Sequence, residues 1–187
     1  MRFDVGQWSI GGACHIGHMH YSKKLNCQDA FLLRSLQDWK QKTEWIVGVV
    51  SDGCGEGKQS EIGSALLSHL VMNSILELGD CRPNPFDPTE FFQLIFAHCR
   101  NCLTSQIRSM TLEDVISLND VAERYWLATI VGFVINKQWG CIFSCGDGVY
   151  QIDDDFHRID QGPAPRYLAY ACSGVSVPLA AVPTQFD

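Results

Sequence analysis

The sequence predicts an α+β fold in which antiparallel sheets carry a pair of long helices on one face. Three observations lead there. Short apolar runs rich in β-formers occupy both ends of the chain, the period changes to a helical one between them, and the strand connections are short. Sequential strands on short turns pair antiparallel, whereas a doubly wound fold needs a helix after each strand.

In order, Ala30–Leu33 and Trp45–Val50 read as strands, joined by the polar segment Gln37–Thr43. The glycine-rich loop Asp52-Gly53-Cys54-Gly55-Glu56-Gly57-Lys58 follows. Ser60 is a candidate N-cap, Glu61 favours a first turn, and apolar residues then run to Leu78 before Gly79. After the proline-rich stretch Cys81–Pro88, a second helix is expected from about Pro88. It carries Phe91, Ile95 and Cys102 on one face and Phe92, Phe96, Cys99 and Leu103 on another. Both helices are broadly apolar, about 20 residues each, and are expected to pack antiparallel on a sheet. Thr111–Tyr125 is amphipathic and predicts a short helix or ordered loop. Trp126–Ile135 is apolar on both alternating sets, which predicts a central strand. Trp139–Cys145 and Val149–Ile152 read as further strands, and Asp153-Asp154-Asp155 as a solvated hairpin turn. From Gln161 onward four prolines leave no clear element.

The chain has 187 residues, 46% hydrophobic and 19% charged, which fits one globular domain over 1–187. No apolar run is long enough for a membrane span, and Met1-Arg2-Phe3-Asp4 opens no signal peptide, so a cytoplasmic protein is expected. The net charge of −7 argues against nucleic acid or an anionic membrane as partner. Nine cysteines, an odd number, argue against a disulfide framework and for small core residues.

Chemistry concentrates at two acidic motifs. Asp29 precedes one strand and Asp52-Gly53 ends another, so neighbouring strands can aim both carboxylates at one point. Oxygen ligands on rigid strand ends suit Mg²⁺ or Mn²⁺, and Gly53 lets a backbone carbonyl approach. The competing reading is an ordinary Asp-Gly turn and a strand-edge carboxylate. Three other clusters are weaker. Cys14, His15, His18, His20 and Cys27 do not follow a standard zinc spacing. Cys99-x-x-Cys102 falls one turn apart on a helix, as core residues do. Gly53-x-Gly55-x-Gly57-Lys58 has Gln59 where a P-loop needs Ser or Thr.

Four motifs occur in order: Asn26-Cys27-Gln28-Asp29-Ala30, Val49-Val50-Ser51-Asp52-Gly53-Cys54-Gly55, Ala128-Thr129-Ile130-Val131 and Cys145-Gly146-Asp147-Gly148. Together, over about Gly12 to Tyr170, they resemble the type 2C metal-dependent Ser/Thr protein phosphatases. The loop with Ser60-Glu61-Ile62-Gly63-Ser64 resembles the bacterial branch in particular. The resemblance implies an antiparallel β-sandwich flanked by antiparallel helix pairs. It implies two Mn²⁺ or Mg²⁺ ions and a bridging water that attacks phosphoserine or phosphothreonine in a protein substrate. Asp52 would bridge the metals, Gly53 would offer its carbonyl, and Asp29 would be a further ligand. Gln28 stands where the family usually has glutamate, and Lys24 where many members hold phosphate with arginine. His20 is expected near the active site. Cys54 occupies the place of a histidine that some members use.

The family domain continues with two further aspartates that have no recognisable counterpart here, so the resemblance implies a domain incomplete at its C-terminus. Two functions follow: a metal-dependent phosphoprotein phosphatase, with Asp52 and Asp29 catalytic, or a phosphatase-fold binding or regulatory module with an impaired metal shell.

Overall fold

The computed structural model describes residues 2–5, 8–38, 43–79, 88–111, 116–137, 139–162 and 165–185. The centre is a five-stranded antiparallel sheet made of β3 (Asp29–Asp38), β4 (Thr43–Asp52), β5 (Ile130–Ile135), β6 (Trp139–Cys145) and β9 (Leu179–Gln185), in the order 3-4-5-6-9. Two hairpins complete the strands: β1 (Arg2–Val5) with β2 (Trp8–Gly11), and β7 (Gly148–Ile152) with β8 (Asp155–Ile159). The helices are α1 (His18–Ser22), α2 (Ser60–Gly79), α3 (Pro88–Met110) and α4 (Leu118–Tyr125), with a short 3₁₀ helix over Leu168–Ser173. The α+β class and antiparallel pairing are as the sequence predicts. Its two layers differ in extent: one sheet is extensive, while the other β-structure is two separate hairpins.

Strand alternation gives the sheet two different faces. Val47 and Val49 belong to the main core with Leu67, Val71, Ile95, Phe96, Leu103 and Phe143. Ile46 and Leu33 belong to a smaller cluster with Ile10 of β2, supported by Phe31 and Phe133. Further along that second face Val50 is 55% exposed, so cover thins toward the end of β4 that carries Asp52. Gly48 keeps the second face close-packed, because a Cβ there would strike the Phe133 ring.

Both long helices are as expected. Phe91, Phe92, Ile95, Phe96, Cys99 and Leu103 are buried, and Phe92 stacks on Phe143 of β6 at 4.5 Å between ring centroids. His98 Nδ1 lies 3.0 Å from Ser74 Oγ, a polar tie between α3 and α2. Ser60 does not cap α2 through an accepting oxygen; its hydroxyl donates to the Cys54 carbonyl at 2.8 Å and fastens the glycine loop. Of the amphipathic segment before the central strand, Leu118–Tyr125 forms α4, and residues 112–115 lie outside the described residues. Ser117 and Asp120 close a reciprocal capping box at the start of α4. The strand expected from Trp126 begins only at Ile130; Ala128 makes an isolated bridge to Gly53 instead. Asp153 and Asp154 form the turn between β7 and β8, with Asp153 at φ 53.

The tail from Gln161 departs from the expectation of no element, since it supplies the 3₁₀ helix and β9. Pro183 is tolerated because β9 is an edge strand among the described residues, and proline is confined to such positions in a sheet. The segments 39–42 and 80–87, read as connections in the sequence, lie outside the described residues.

Candidate metal centre

The strand register decides the site. Asp29 is the first residue of β3 and Asp52 the last of β4, and the two are direct partners across the antiparallel pair. Directly opposed residues project to the same face, here the one away from α2 and α3. Burial, a side-chain hydrogen bond with Asp29 and that residue's negative charge push the Asp52 carboxyl up to about 6, while His20 of α1 pulls the other way. Asp52 stays open to solvent on one side. Partial burial is the larger cause, and the like charge of Asp29 adds to it.

The backbone around Asp52 is held from several directions. Its N–H donates to Thr129 Oγ1 at 3.2 Å, and its carbonyl accepts the Thr129 N–H at 2.9 Å. The buried Ser51 hydroxyl donates to the Thr129 carbonyl at 2.7 Å. Beyond the strand, Gly53 N–H donates to the Gln28 carbonyl at 3.1 Å and Cys54 N–H to the Leu127 carbonyl at 2.8 Å. A Cβ on Gly53 would lie 2.7 Å from the Gln28 carbonyl oxygen and 2.9 Å from that of Ser60. Both are backbone atoms, so this position requires glycine for close approach. The Ser64 hydroxyl of α2 also donates to the Gln28 carbonyl, and Asn26 Nδ2 donates to Glu61 Oε1 at 3.0 Å. These bonds fasten the lead into β3 to the start of α2.

Gln28 is buried, and its Oε1 has no hydrogen-bond partner. That oxygen would be 3.8 Å from a Cβ on Gly55, so it points toward the glycine loop. Lys24 is exposed in a left-handed backbone conformation, φ 55, just past α1, with its N–H on the Tyr21 carbonyl at 3.1 Å. Of the sequence-predicted site residues, Asp29, Asp52, Gly53 and Gln28 gather at one corner of the sheet. His20 reaches it electrostatically, and Lys24 lies at the rim of the same α1 segment.

The sequence gives no sign of Tyr167. Its hydroxyl hydrogen-bonds Cys54, and burial, that bond and the nearby Asp52 charge raise its pKa. Thr129 and Ser51 stand in two of the four motifs, and the structure adds what they do there: they fix the Asp52 backbone. Asp147, within the fourth motif, accepts Gln161 N–H at 2.7 Å and ties down the chain after β8. Cys99 lies in the core and burial pushes its thiol up to about 11, as expected for an inert packing cysteine.

The donor set fits a hard divalent cation. Two like-charged carboxylates meet across the strand pair, and a hard cation offsets their charge. The unpartnered Gln28 Oε1 is directed at the glycine loop beyond them.

The family model for protein phosphatase 2C matches residues 16–170. The chain belongs to the protein phosphatase 2C family. Its matched region takes in the Asp29–Asp52 pair, both long helices and the Asp147 turn. Among solved structures, one described as the catalytic domain of serine threonine protein phosphatase PstP in complex with two manganese ions is similar over 84% of this chain and 73% of that chain. The identity is 13% and the TM-score 0.45. No curated protein matches the chain. Among the described residues, no helix of this 2C-family chain is long and apolar enough to cross a membrane.

Proposed function

We propose that this protein is a metal-dependent phosphatase acting on phosphoserine or phosphothreonine in protein substrates, with Asp29 and Asp52 as the core of its metal site. The carrying observation is the direct cross-strand pairing of the two carboxylates; burial first, then the hydrogen bond with Asp29 and its charge, raises the Asp52 pKa to about 6. Folding places two like charges together where a cation offsets them.

Asp29 and Asp52 would hold Mn²⁺ or Mg²⁺, with the Gln28 amide oxygen and the Gly53 carbonyl as neutral oxygens nearby. A pair of such ions supplies an acidified water and offsets charge on a phosphoryl group. The chain itself positions: Thr129 and Ser51 fix the Asp52 backbone, and the close packing at Gly53 fixes the turn beyond it. Lys24 would supply positive charge on the α1 side, beside His20, where a phosphate enters. Lysine acts there as a point charge without the arginine fork. No protein nucleophile is needed, so Cys54 serves packing and its bond with Tyr167.

A second reading, a binding or regulatory module with the same fold, is favoured by one observation. Gln28 contributes no charge where the family usually supplies a carboxylate, which weakens attraction for a hard cation. Phosphate release from a phosphothreonine peptide decides between them. The enzyme reading expects Mn²⁺-dependent release that Asp52→Asn abolishes. Peptide binding without release in the parent would establish the module.

A further inference from the structure

Close to the carboxylate pair lies a second group of ligand atoms of different chemistry. Cys14, in the segment after β2, and Cys27, in the lead into β3, bring their sulfurs to 3.3 Å. Cys14 Sγ is also 3.3 Å from the Asp29 carbonyl oxygen, and Cys27 Sγ is 4.0 Å from Asp29 Oδ2. One ligand atom from each of Cys14, Cys27 and Asp29 falls within 4.8 Å of the others.

From this geometry we propose that Cys14, Cys27 and Asp29 form a thiolate-bearing site for a soft divalent cation, zinc in the first instance, on the α1 side of Asp29. Tetrahedral zinc with sulfur bonds of about 2.3 Å and oxygen bonds of about 2.1 Å spaces its ligands roughly 3.8 Å for sulfur pairs and 3.6 Å for sulfur to oxygen. The observed 3.3 and 4.0 Å bracket those spacings, so side-chain rotation suffices. Cys14 is exposed and Cys27 half-buried, which leaves an entry path and room for water as the fourth ligand. Two sulfurs select zinc over Mn²⁺ or Mg²⁺, which prefer oxygen. The spacing of these cysteines matches no standard zinc motif because the fold, through α1 between them, brings them together.

The site shares Asp29 with the proposed manganese centre. Zinc held by the thiols would therefore withdraw that carboxylate from manganese. This antagonism rests on the assignment of Asp29 in the preceding section, whereas zinc binding itself does not.

The test uses the full chain, fully reduced, with Co²⁺ as a spectroscopic probe and Zn²⁺ as competitor. The parent is expected to show a thiolate-to-cobalt charge-transfer band that zinc removes. Cys14→Ser and Cys27→Ser, each keeping one thiolate, should each weaken the band and weaken zinc binding by roughly tenfold or more, the least expected when a direct ligand is removed. Because Cys14 is exposed, its serine variant should fold, and an unchanged circular dichroism spectrum verifies this. Cobalt spectra and zinc affinities that are alike in parent and both variants would overturn the site. In a separate arm, Mn²⁺ affinity is measured with and without zinc. Weakening in the parent but not in Cys14→Ser supports the shared carboxylate, and equal Mn²⁺ affinity with and without zinc overturns it. The cobalt band requires neither manganese nor turnover, so failure of the phosphatase reading would leave it intact.

Discussion

Asp29 and Asp52 face each other as direct partners in an antiparallel ladder, one at the first position of its strand and one at the last. Antiparallel pairing fixes both position and direction, so the two side chains leave the sheet on the same face. Most sheets avoid such a like-charge pair because it opposes folding. Its presence at an end of the ladder where the second-face cover thins gives the protein a local penalty that a bound cation would offset.

That penalty has a definite pH sign. The Asp52 carboxyl is raised from 3.8 to about 6 in the folded state, so folding favours its protonated form. Its contribution is favourable below the unfolded value and is lost as pH rises through about 6. Asp52→Asn should therefore melt above the parent at pH 8 in chelator (both pH values are roughly two units from the shifted pKa) and show no such advantage near pH 4. With Mn²⁺ at pH 8 the order should reverse. Melting curves of the two proteins, compared at each pH, read this directly; an advantage confined to low pH would refute the sign.

Gly63 gives a second test, of packing. Replacing an interior helical glycine by alanine ordinarily gains up to about 1 kcal/mol. At Gly63 the added Cβ would fall on the Tyr125 carbonyl oxygen, with the Trp126 Cα at 2.9 Å. Backbone cannot step aside cheaply, so Gly63→Ala should instead destabilise by about 1–3 kcal/mol. Urea titration measures the difference, and a stabilised variant would mean that α2 and α4 are not in such close contact.

Much of the fold was legible because its long elements have strong periods. The α2–α3 pair and the central β5 follow from apolar patterning alone, as does the polar turn at Asp153 and Asp154. Shorter or irregular pieces were not. With five residues, α1 is too short to show a period, and its role is to carry His20 and to fold Cys14 back on Cys27. The proline content hid β9, because a proline is excluded from a central strand but accepted at the edge where Pro183 sits. Asp29 and Asp52 could be read as site candidates because each is a polar residue bounding an apolar run. Tyr167 could not, and Ser51 and Thr129 could be read only as motif members, since their supporting contacts join segments far apart in sequence.

The support under Asp52 can be probed without touching a carboxylate. Thr129→Val keeps the side-chain shape but removes the oxygen that accepts the Asp52 N–H. The loss should cost about 1–2 kcal/mol of stability, the usual penalty for a hydrogen bond broken on one side in a buried setting. Manganese affinity should fall with it, because the carboxylate loses its fixed aim. A variant equally stable and equally tight for manganese would remove Thr129 from the supporting role.

The most direct measurement is a calorimetric titration of Mn²⁺ into the metal-stripped parent, Asp29→Asn and Asp52→Asn at matched pH. The carboxylate-pair account predicts that the parent binds manganese and that each single substitution weakens binding by roughly tenfold or more, about 1.4 kcal/mol at least. Equal manganese affinity in all three proteins would contradict it.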